Sequence, residues 1–248
     1  MRKSLLFLSA VMFAFAVCGS HASAQAPRKV VVNVSKLSEE EFQLMEFKFA
    51  LTAFMPTFPK DITAAKRRKI EEKIKEIILL QNKEFQEKFG DLDNSSGDRQ
   101  GEVSEFMAAS GHKVYEATWN FIRETLPAET VEEMEILTFQ QSGGVFGGTR
   151  FVENLAPLRL TAEQKENVEK IIEKLFPEYF ELLVSLDMME PDLEAVRETL
   201  EKMVSLLRGG QQEIEAILTD EQKQRAEELM ADVPEGIRFL SDYLKNHP

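Results

Sequence analysis

The chain has 248 residues, with 30 lysines and arginines against 43 aspartates and glutamates, and a formal net charge of −13 at pH 7. A chain this acidic lacks the basic surface that binds a phosphate backbone, and an anionic membrane surface repels it, so we expect no nucleic-acid partner. With 43% hydrophobic and 29% charged residues, it has the composition of a folded globular protein. Only 12 glycines and 3 tyrosines favour helices over a β-sandwich or barrel.

Residues 1–24 have the three-part pattern of an export signal. Arg2 and Lys3 form a basic start, an uncharged run follows, and the segment ends in Ala-Ser-Ala, a small-residue cleavage site. The uncharged run is too short to span a bilayer, so we expect no stable membrane insertion after cleavage. The single cysteine, Cys18, precedes the cut. The mature chain is therefore predicted to be exported without disulfides, with a net charge of −15 once Arg2 and Lys3 are removed.

Histidine and cysteine chemistry is nearly absent from the mature chain, which keeps only His112 and His247. Thiol nucleophiles, histidine-based triads and Cys/His zinc sites therefore lack their residues. His112 lies in an amphipathic stretch, where a helix-surface histidine is much commoner than a ligand or a base. We predict no catalytic residue, no enzyme activity and no cofactor.

The mature chain is predicted to be all-α, with extended antiparallel helical hairpins in two halves. Residues 25–35 form an N-terminal arm, in which the valine-rich run 30–34 could add one short extended piece. Residues 36–141 form an N-terminal helical half, and residues 150–248 form a helical hairpin domain. The glycine-rich segment 142–149 between them lacks the Lys-Ser/Thr pair of a phosphate-binding loop, and it is predicted to be a flexible joint.

Helical periodicity runs through the first half. A capping box at 38–41 starts a first helix that ends near Met55. A second helix is predicted from about residue 61 to 90, a third along the apolar positions of 106–126, and a shorter one from Pro127.

The first helix carries large apolar groups around more than one face, whereas a helix that packs on a core with one side needs only one apolar face. Two interpretations stay open. The helix presents an apolar surface to client proteins, or it is buried between other helices or in a dimer interface, which is the commoner situation. The candidate client-surface residues are Phe42, Met45, Phe47, Phe49, Phe54 and Met55.

The polar segment 91–102 has part of the pattern of a calcium-binding loop. Its potential ligands are Asp91, Asp93, Ser95 and Glu102. Ser96 stands where the turn needs glycine, so we expect a solvated loop, keep calcium as the alternative and predict no metal ligand.

The most specific signal is a five-residue motif that occurs twice, as Leu-Thr-Ala-Glu-Gln at 160–164 and Leu-Thr-Asp-Glu-Gln at 218–222. In each copy the threonine can cap a helix, and the glutamine at the third helical position can reach back to the amide of that threonine. Two amphipathic helices lie between the copies. The second has a heptad seam in which Gly210 occupies an apolar position, so the two helices are predicted to form an antiparallel hairpin.

Paired Leu-Thr-x-x-Gln motifs that flank a helical hairpin in an exported all-helical chain resemble the Spy/CpxP family of periplasmic proteins. The resemblance covers residues 160–230. It implies a thin, curved helical homodimer that works without ATP in the periplasm of a bacterium with two membranes, where it holds unfolded clients or reports envelope stress to signalling partners. The motif positions, which the resemblance assigns to structural caps, are Leu160, Thr161, Gln164, Leu218, Thr219 and Gln222.

The negative charge of the chain bears on which proteins it could bind. Spy-like chaperones tend to have a basic cradle, whereas both halves of this chain are acidic, so such a chaperone would depend on apolar contact or prefer basic clients. The alternative is an acidic, metal-responsive or metal-buffering envelope protein. Sequences at 37–41 and 126–130 resemble the motif without its glutamine, which leaves open whether the first half is a decayed repeat of the second.

Overall fold

The computed structural model of the protein describes residues 55–89, 100–185, 193–231 and 233. Within these ranges the protein consists of helices and connecting turns, with no strand, so the all-α prediction is confirmed. None of the helices in these ranges combines the length and the apolar character that crossing a membrane requires. In chain order the helices are α1 (Ala64–Phe89), α2 (Gln100–Thr125), α3 (Ala128–Gln141), the 3₁₀ helices η1 (Gly144–Thr149) and η2 (Val152–Leu158), α4 (Ala162–Val184), α5 (Leu193–Ile217) and α6 (Asp220–Ala231).

Several sequence predictions fall outside the described residues and stay predictions. They concern the export signal 1–24, the arm 25–35, the helix predicted before Met55, and the part of the polar loop at 91–99. Of the possible calcium ligands, only Glu102 is described, and it lies in the first turn of α2.

The starts of α1 and α3 carry the signals that the sequence indicated. Thr63 directly precedes α1, and its hydroxyl accepts the amide of Lys66 at 3.3 Å. That bond satisfies one of the amides that a helix start leaves without an internal partner. Pro127 is the N-cap of α3, with φ −59° and ψ 146°. Its carbonyl accepts the amide of Val131 at 3.0 Å, the first hydrogen bond of the helix.

α1 and α2 pack through one apolar face each. The buried Ile70, Ile74 and Ile78 recur every four residues along α1, which places them on one side of the helix. Trp119 and Ile122 of α2 are fully buried in the same cluster. This contact removes the largest aromatic side chain of α2 from solvent and fixes the two helices side by side.

The glycine-rich segment is part of the core, and the prediction of a flexible joint is wrong. Every residue of η1 is buried, and η1 contacts α3, α4, α5, α6 and η2. Phe146 of η1 belongs to a cluster that also contains Phe85 of α1 and Phe180 of α4. Residues from both sides of segment 142–149 therefore pack together.

Glycine is needed in this segment for backbone conformation and for close packing. Gly143 and Gly144 have φ values of 89° and 71°, in the left-handed region that other residues rarely adopt. A Cβ atom at Gly148 would lie 2.6 Å from Leu155 Cδ1, which leaves no room for a side chain. A run of glycines signals a tight buried turn as well as a flexible loop, and composition alone does not separate the two.

A buried hydrogen-bond chain fixes the two 3₁₀ helices against α2. The Tyr115 hydroxyl donates to Asn154 Oδ1, and Asn154 Nδ2 donates to the Gly147 carbonyl at 2.9 Å. Burial raises the pKa of Tyr115, which keeps its hydroxyl protonated as a donor. The Tyr115 hydroxyl, the Asn154 amide and the Gly147 carbonyl are thereby paired within the core.

α4 and α5 lie antiparallel where they touch. Near the start of α4, Gln164 bonds the carbonyl of Ile217 at the end of α5. Further along α4, Lys174 bonds Glu213, which lies earlier in α5. The predicted heptad seam of α5 is only partly buried, because Leu200 on that seam is 42% exposed. The buried seam residues are Met203, Leu207, Gly210 and Ile214.

Two adjacent glycines of α5 test the contact between α4 and α5. A Cβ at Gly210 would overlap Leu175 Cδ1, whereas a Cβ at Gly209 would meet no atom within 4 Å. Gly209→Ala should raise the free energy of unfolding by about 0.5–1 kcal/mol, because glycine is a poor helix former. Gly210→Ala gains the same helix propensity but overpacks the contact, at a cost of about 1–3 kcal/mol.

Urea denaturation of both variants measures the difference. We expect Gly210→Ala to be less stable than Gly209→Ala. Equal stabilisation by the two substitutions would contradict the close approach at Gly210.

Candidate functional site

The two Leu-Thr-x-x-Gln motifs meet through their glutamine side chains. Gln164 Nε2 donates to Gln222 Oε1 at 2.8 Å, and Gln222 Nε2 donates to Gln164 Oε1 at 3.0 Å. The two glutamines are 58 residues apart in the chain and lie in the first turns of α4 and α6. Sequence reasoning placed each motif at a helix start but did not find this contact.

Each motif also has the hydrogen bonds of a capping box. Thr161 Oγ1 accepts the amide of Gln164 at 3.1 Å, and the Thr161 amide donates to Gln164 Oε1 at 2.9 Å. In the second copy, Thr219 Oγ1 accepts the amide of Gln222 at 3.2 Å, and the Thr219 amide donates to Gln222 Oε1 at 3.0 Å. Each glutamine oxygen therefore accepts twice, once from its own threonine and once from the other glutamine.

Two backbone carbonyls complete the network. Gln164 Nε2 also donates to the carbonyl of Ile217 at 3.1 Å, just before the second motif. Gln222 Nε2 also donates to the carbonyl of Leu158 at 3.3 Å, at the end of η2. We call the hydrogen bonds among the motif threonines, the motif glutamines and these two carbonyls the glutamine clasp. It joins the starts of α4 and α6 to the ends of η2 and α5.

The motif leucines attach the clasp to the core. Leu160 is 8% exposed and Leu218 is 4% exposed, and both belong to one apolar cluster with Val168 of α4 and Ala226 of α6. All six motif positions therefore hold helix ends in place, through packing at the leucines and hydrogen bonds at the threonines and glutamines.

Of the predicted client-surface residues, only Met55 is described. Met55 is partly buried and packs against the cluster that contains Ile70 and Trp119. The other five lie outside the described residues, so the client surface stays a prediction; they are Phe42, Met45, Phe47, Phe49 and Phe54. Within the described ranges the exposed large apolar side chains are Leu79, Leu80 and Leu200.

A cavity of about 540 Å³ lies between α2, η2 and α4. Part of its lining is apolar, from the buried side chains of Val152, Ile172 and Phe176. Its titratable lining residues are Glu105, His112 and Glu116 of α2, Glu153 of η2, and Glu169 and Glu173 of α4. No lysine or arginine of the described chain lines it. We call it the acidic cavity.

Among the described residues, no lysine or arginine forms an ion pair with a glutamate of the acidic cavity. Elsewhere on the described surface carboxylates form ion pairs, as in Lys174 with Glu213 at 2.9 Å. None of the five cavity glutamates forms such a pair with another described residue. Five carboxyl groups therefore surround a partly apolar space.

Glu153 is a partly buried glutamate in the wall of the acidic cavity. Its Oε2 atom is buried and has no hydrogen-bond partner among the described residues. Burial raises the pKa of Glu153, and repulsion from Glu116 and Glu169 adds to this, while a backbone hydrogen bond and Arg123 act in the opposite direction. The folded protein therefore stabilises the protonated form of Glu153 relative to an exposed glutamate.

His112 is not the surface histidine that its sequence context suggested. It is partly buried, lines the acidic cavity, and packs edge-on to the Phe151 ring, with 5.6 Å between ring centroids. Burial lowers the pKa of His112, and the nearby Glu173 and Glu116 oppose that shift. The imidazole is therefore held mainly neutral, next to carboxylates that it does not neutralise.

Sequence reasoning missed the acidic cavity because its residues come from three separate elements. The only local signal is spacing. Position 112 is seven positions after Glu105 and four before Glu116, which places the three residues on one face of α2. Glutamates are too frequent in this chain for that spacing to stand out. Within the described residues, no group of three or more potential ligands is arranged to hold a metal ion.

Substitution of the clasp glutamines should destabilise the fold strongly and non-additively. Gln164→Ala removes the acceptor for the Thr161 amide and the donor to the Ile217 carbonyl, so we expect a loss of about 2–3 kcal/mol in the free energy of unfolding. Gln222→Ala should cost a similar amount. Because each single variant leaves the other glutamine short of a partner, the double variant should cost less than the sum of the two.

A double-mutant cycle by chemical denaturation measures this coupling. Gln224→Ala is the matched control, because its side chain bonds only the nearby Glu228 at the surface, and it should change stability by less than about 0.5 kcal/mol. Strictly additive costs for Gln164→Ala and Gln222→Ala would show that the clasp is not a single unit.

The pH dependence of stability should report the buried Glu153 carboxylate. Because its folded-state pKa lies above the ordinary value of 4.5, its contribution is fully present below that pH and is lost as pH rises through the raised pKa. Glutamine does not ionise. Glu153→Gln should therefore gain stability relative to the native protein as the pH increases from about 4.5 to about 7.5.

Urea unfolding across that pH range checks this prediction, with Glu124→Gln as the control for replacing a glutamate at an exposed position. His112 acts in the opposite sense, because its lowered pKa reduces stability as pH falls below 6.5. That effect is common to all three proteins and cancels in the differences. A Glu153→Gln variant that gains no stability at any pH would contradict the burial of this carboxylate.

Comparison with known proteins gives no relative for this chain: no family model, no curated protein and no solved structure matches it.

Proposed function

We propose that this is an exported, non-catalytic protein of the Spy/CpxP type, which acts in the periplasm as an ATP-independent chaperone or envelope stress-response protein and binds unfolded or signalling proteins. The glutamine clasp is the observation that carries the proposal. A lone capping box needs no second copy, since it satisfies its own helix start. Here the glutamines of two motif copies, 58 residues apart, hydrogen-bond to each other. This contact supports a functional pairing of the motifs over a chance recurrence.

Charge favours basic partners over acidic ones. The formal net charge is −13, and the described residues expose few large apolar side chains that could form a broad hydrophobic client surface. Electrostatic attraction would therefore contribute much of the encounter between this protein and a basic client. The second hypothesis from the sequence is metal buffering. Within the described ranges, no group of three or more potential metal ligands supports it.

Suppression of aggregation tests the proposed function. Residues 25–248 should reduce the light scattering of a basic client unfolding on heating or reduction, at a near-equimolar ratio. The effect should weaken with added salt, because the Debye length falls from about 10 Å at 0.1 M to about 3 Å at 1 M. An acidic client should be protected less.

The control is an unrelated acidic helical protein of similar net charge, which should leave aggregation unchanged. Aggregation curves that coincide with and without the protein, for both the basic and the acidic client, would overturn the chaperone proposal.

A further inference from the structure

The acidic cavity has the size and the lining of a ligand site. Its volume of about 540 Å³ lies within the range of about 300–1,000 Å³ that is usual for binding pockets. Buried Ile172 and Phe176 provide apolar surface, and the five glutamates provide negative charge. A ligand that matches both features is a cation carried on an apolar stem.

A cation in the acidic cavity would be attracted to glutamates that form no ion pair with another described residue. Glu153 Oε2 is buried without a hydrogen-bond partner among the described residues. Burial disfavours the ionised form of Glu153, and Glu116 and Glu169 repel that form. A positive group placed in the cavity would replace this repulsion by attraction. The gain is larger there than on an open surface, because a partly buried site screens charges less than water does.

A basic amino-acid side chain fits the cavity better than a bare metal ion does. The described residues include no group of three or more ligands placed to surround an ion, and the cavity is far larger than an ion needs. Lysine and arginine bury an apolar stem while their charged ends stay near polar groups. The stem would lie on Ile172 and Phe176, and the charged end would lie among the glutamates.

We propose that the acidic cavity between α2, η2 and α4 binds a lysine or arginine side chain of an extended polypeptide partner. This inference rests on the proposed function for the nature of the partner, a protein, and adds the site and the side chain that it takes. The preference for basic clients then has a structural origin in one cavity rather than in the total charge alone.

Binding of a defined peptide tests the cavity directly. The probe is a fluorescein-labelled, unstructured Gly-Ser peptide with three Phe-Arg pairs, and its neutral counterpart has glutamine at each arginine position. Fluorescence anisotropy with residues 25–248 should show binding of the arginine peptide and at least fivefold weaker binding of the glutamine peptide. The Glu153→Gln/Glu173→Gln variant should bind the arginine peptide about fivefold more weakly than the native protein does.

The matched control is Glu124→Gln/Glu227→Gln, which replaces the same number of glutamates at exposed positions outside the cavity. It should alter the affinity by less than about twofold. Equal weakening by both double variants would mean that the peptide responds to overall charge, and this would overturn the assignment. Equal binding of the two peptides, or no binding of either, would overturn it as well. Thermal unfolding of each variant verifies that it is folded during the measurement.

The cavity and the chaperone activity can fail separately. If the native protein and the Glu153→Gln/Glu173→Gln variant suppress aggregation of the basic client equally, clients bind elsewhere, and the cavity assignment fails while the chaperone proposal stands. If the arginine peptide binds in the cavity but no client is protected from aggregation, the cavity assignment stands and the chaperone proposal fails.

Discussion

The reciprocal hydrogen bonds between Gln164 and Gln222 are the constraint on which the rest of the described structure depends. Two side chains bring four helix ends together, because each amide also bonds the carbonyl of Ile217 or Leu158. A capping box normally orients one helix relative to the chain just before it. Here the same groups orient α4 relative to α6, so local capping and tertiary packing are not separable. Loss of either glutamine affects both.

The buried glycine-rich segment determines how the remaining helices meet. Because η1 lies inside the core, α3 joins the second half of the chain through packed residues. Asn154 bonds the Gly147 carbonyl and accepts from Tyr115, which fixes η2 against α2. Glu153, the neighbour of Asn154, is thereby placed in the wall of the acidic cavity opposite α4. The shape of the cavity is a consequence of this packing and not of the clasp alone.

Helix positions were predictable because their signals are local, whereas the candidate sites depend on contacts between distant residues. Capping residues and apolar spacing act over one or two turns, so they mark helices well. A capping box is complete by itself, so nothing in either motif predicts that Gln164 meets Gln222. Whether Gly148 serves flexibility or close packing depends on Leu155 opposite to it. The position of His112 beside a cavity likewise follows from how α2, η2 and α4 pack.

The sequence separation within the clasp constrains the order in which the native state can form. A chain is synthesised from its N-terminus, so the start of α4 exists before residues 217–222 that complete its hydrogen bonds. Until the second motif arrives, Gln164 can cap its own helix but lacks its tertiary partners. Bringing together two side chains that are 58 residues apart costs loop-closure entropy, which a local helix turn does not require. Docking of α6 therefore depends on a contact between distant residues, and it completes the junction between α4, α5 and η2.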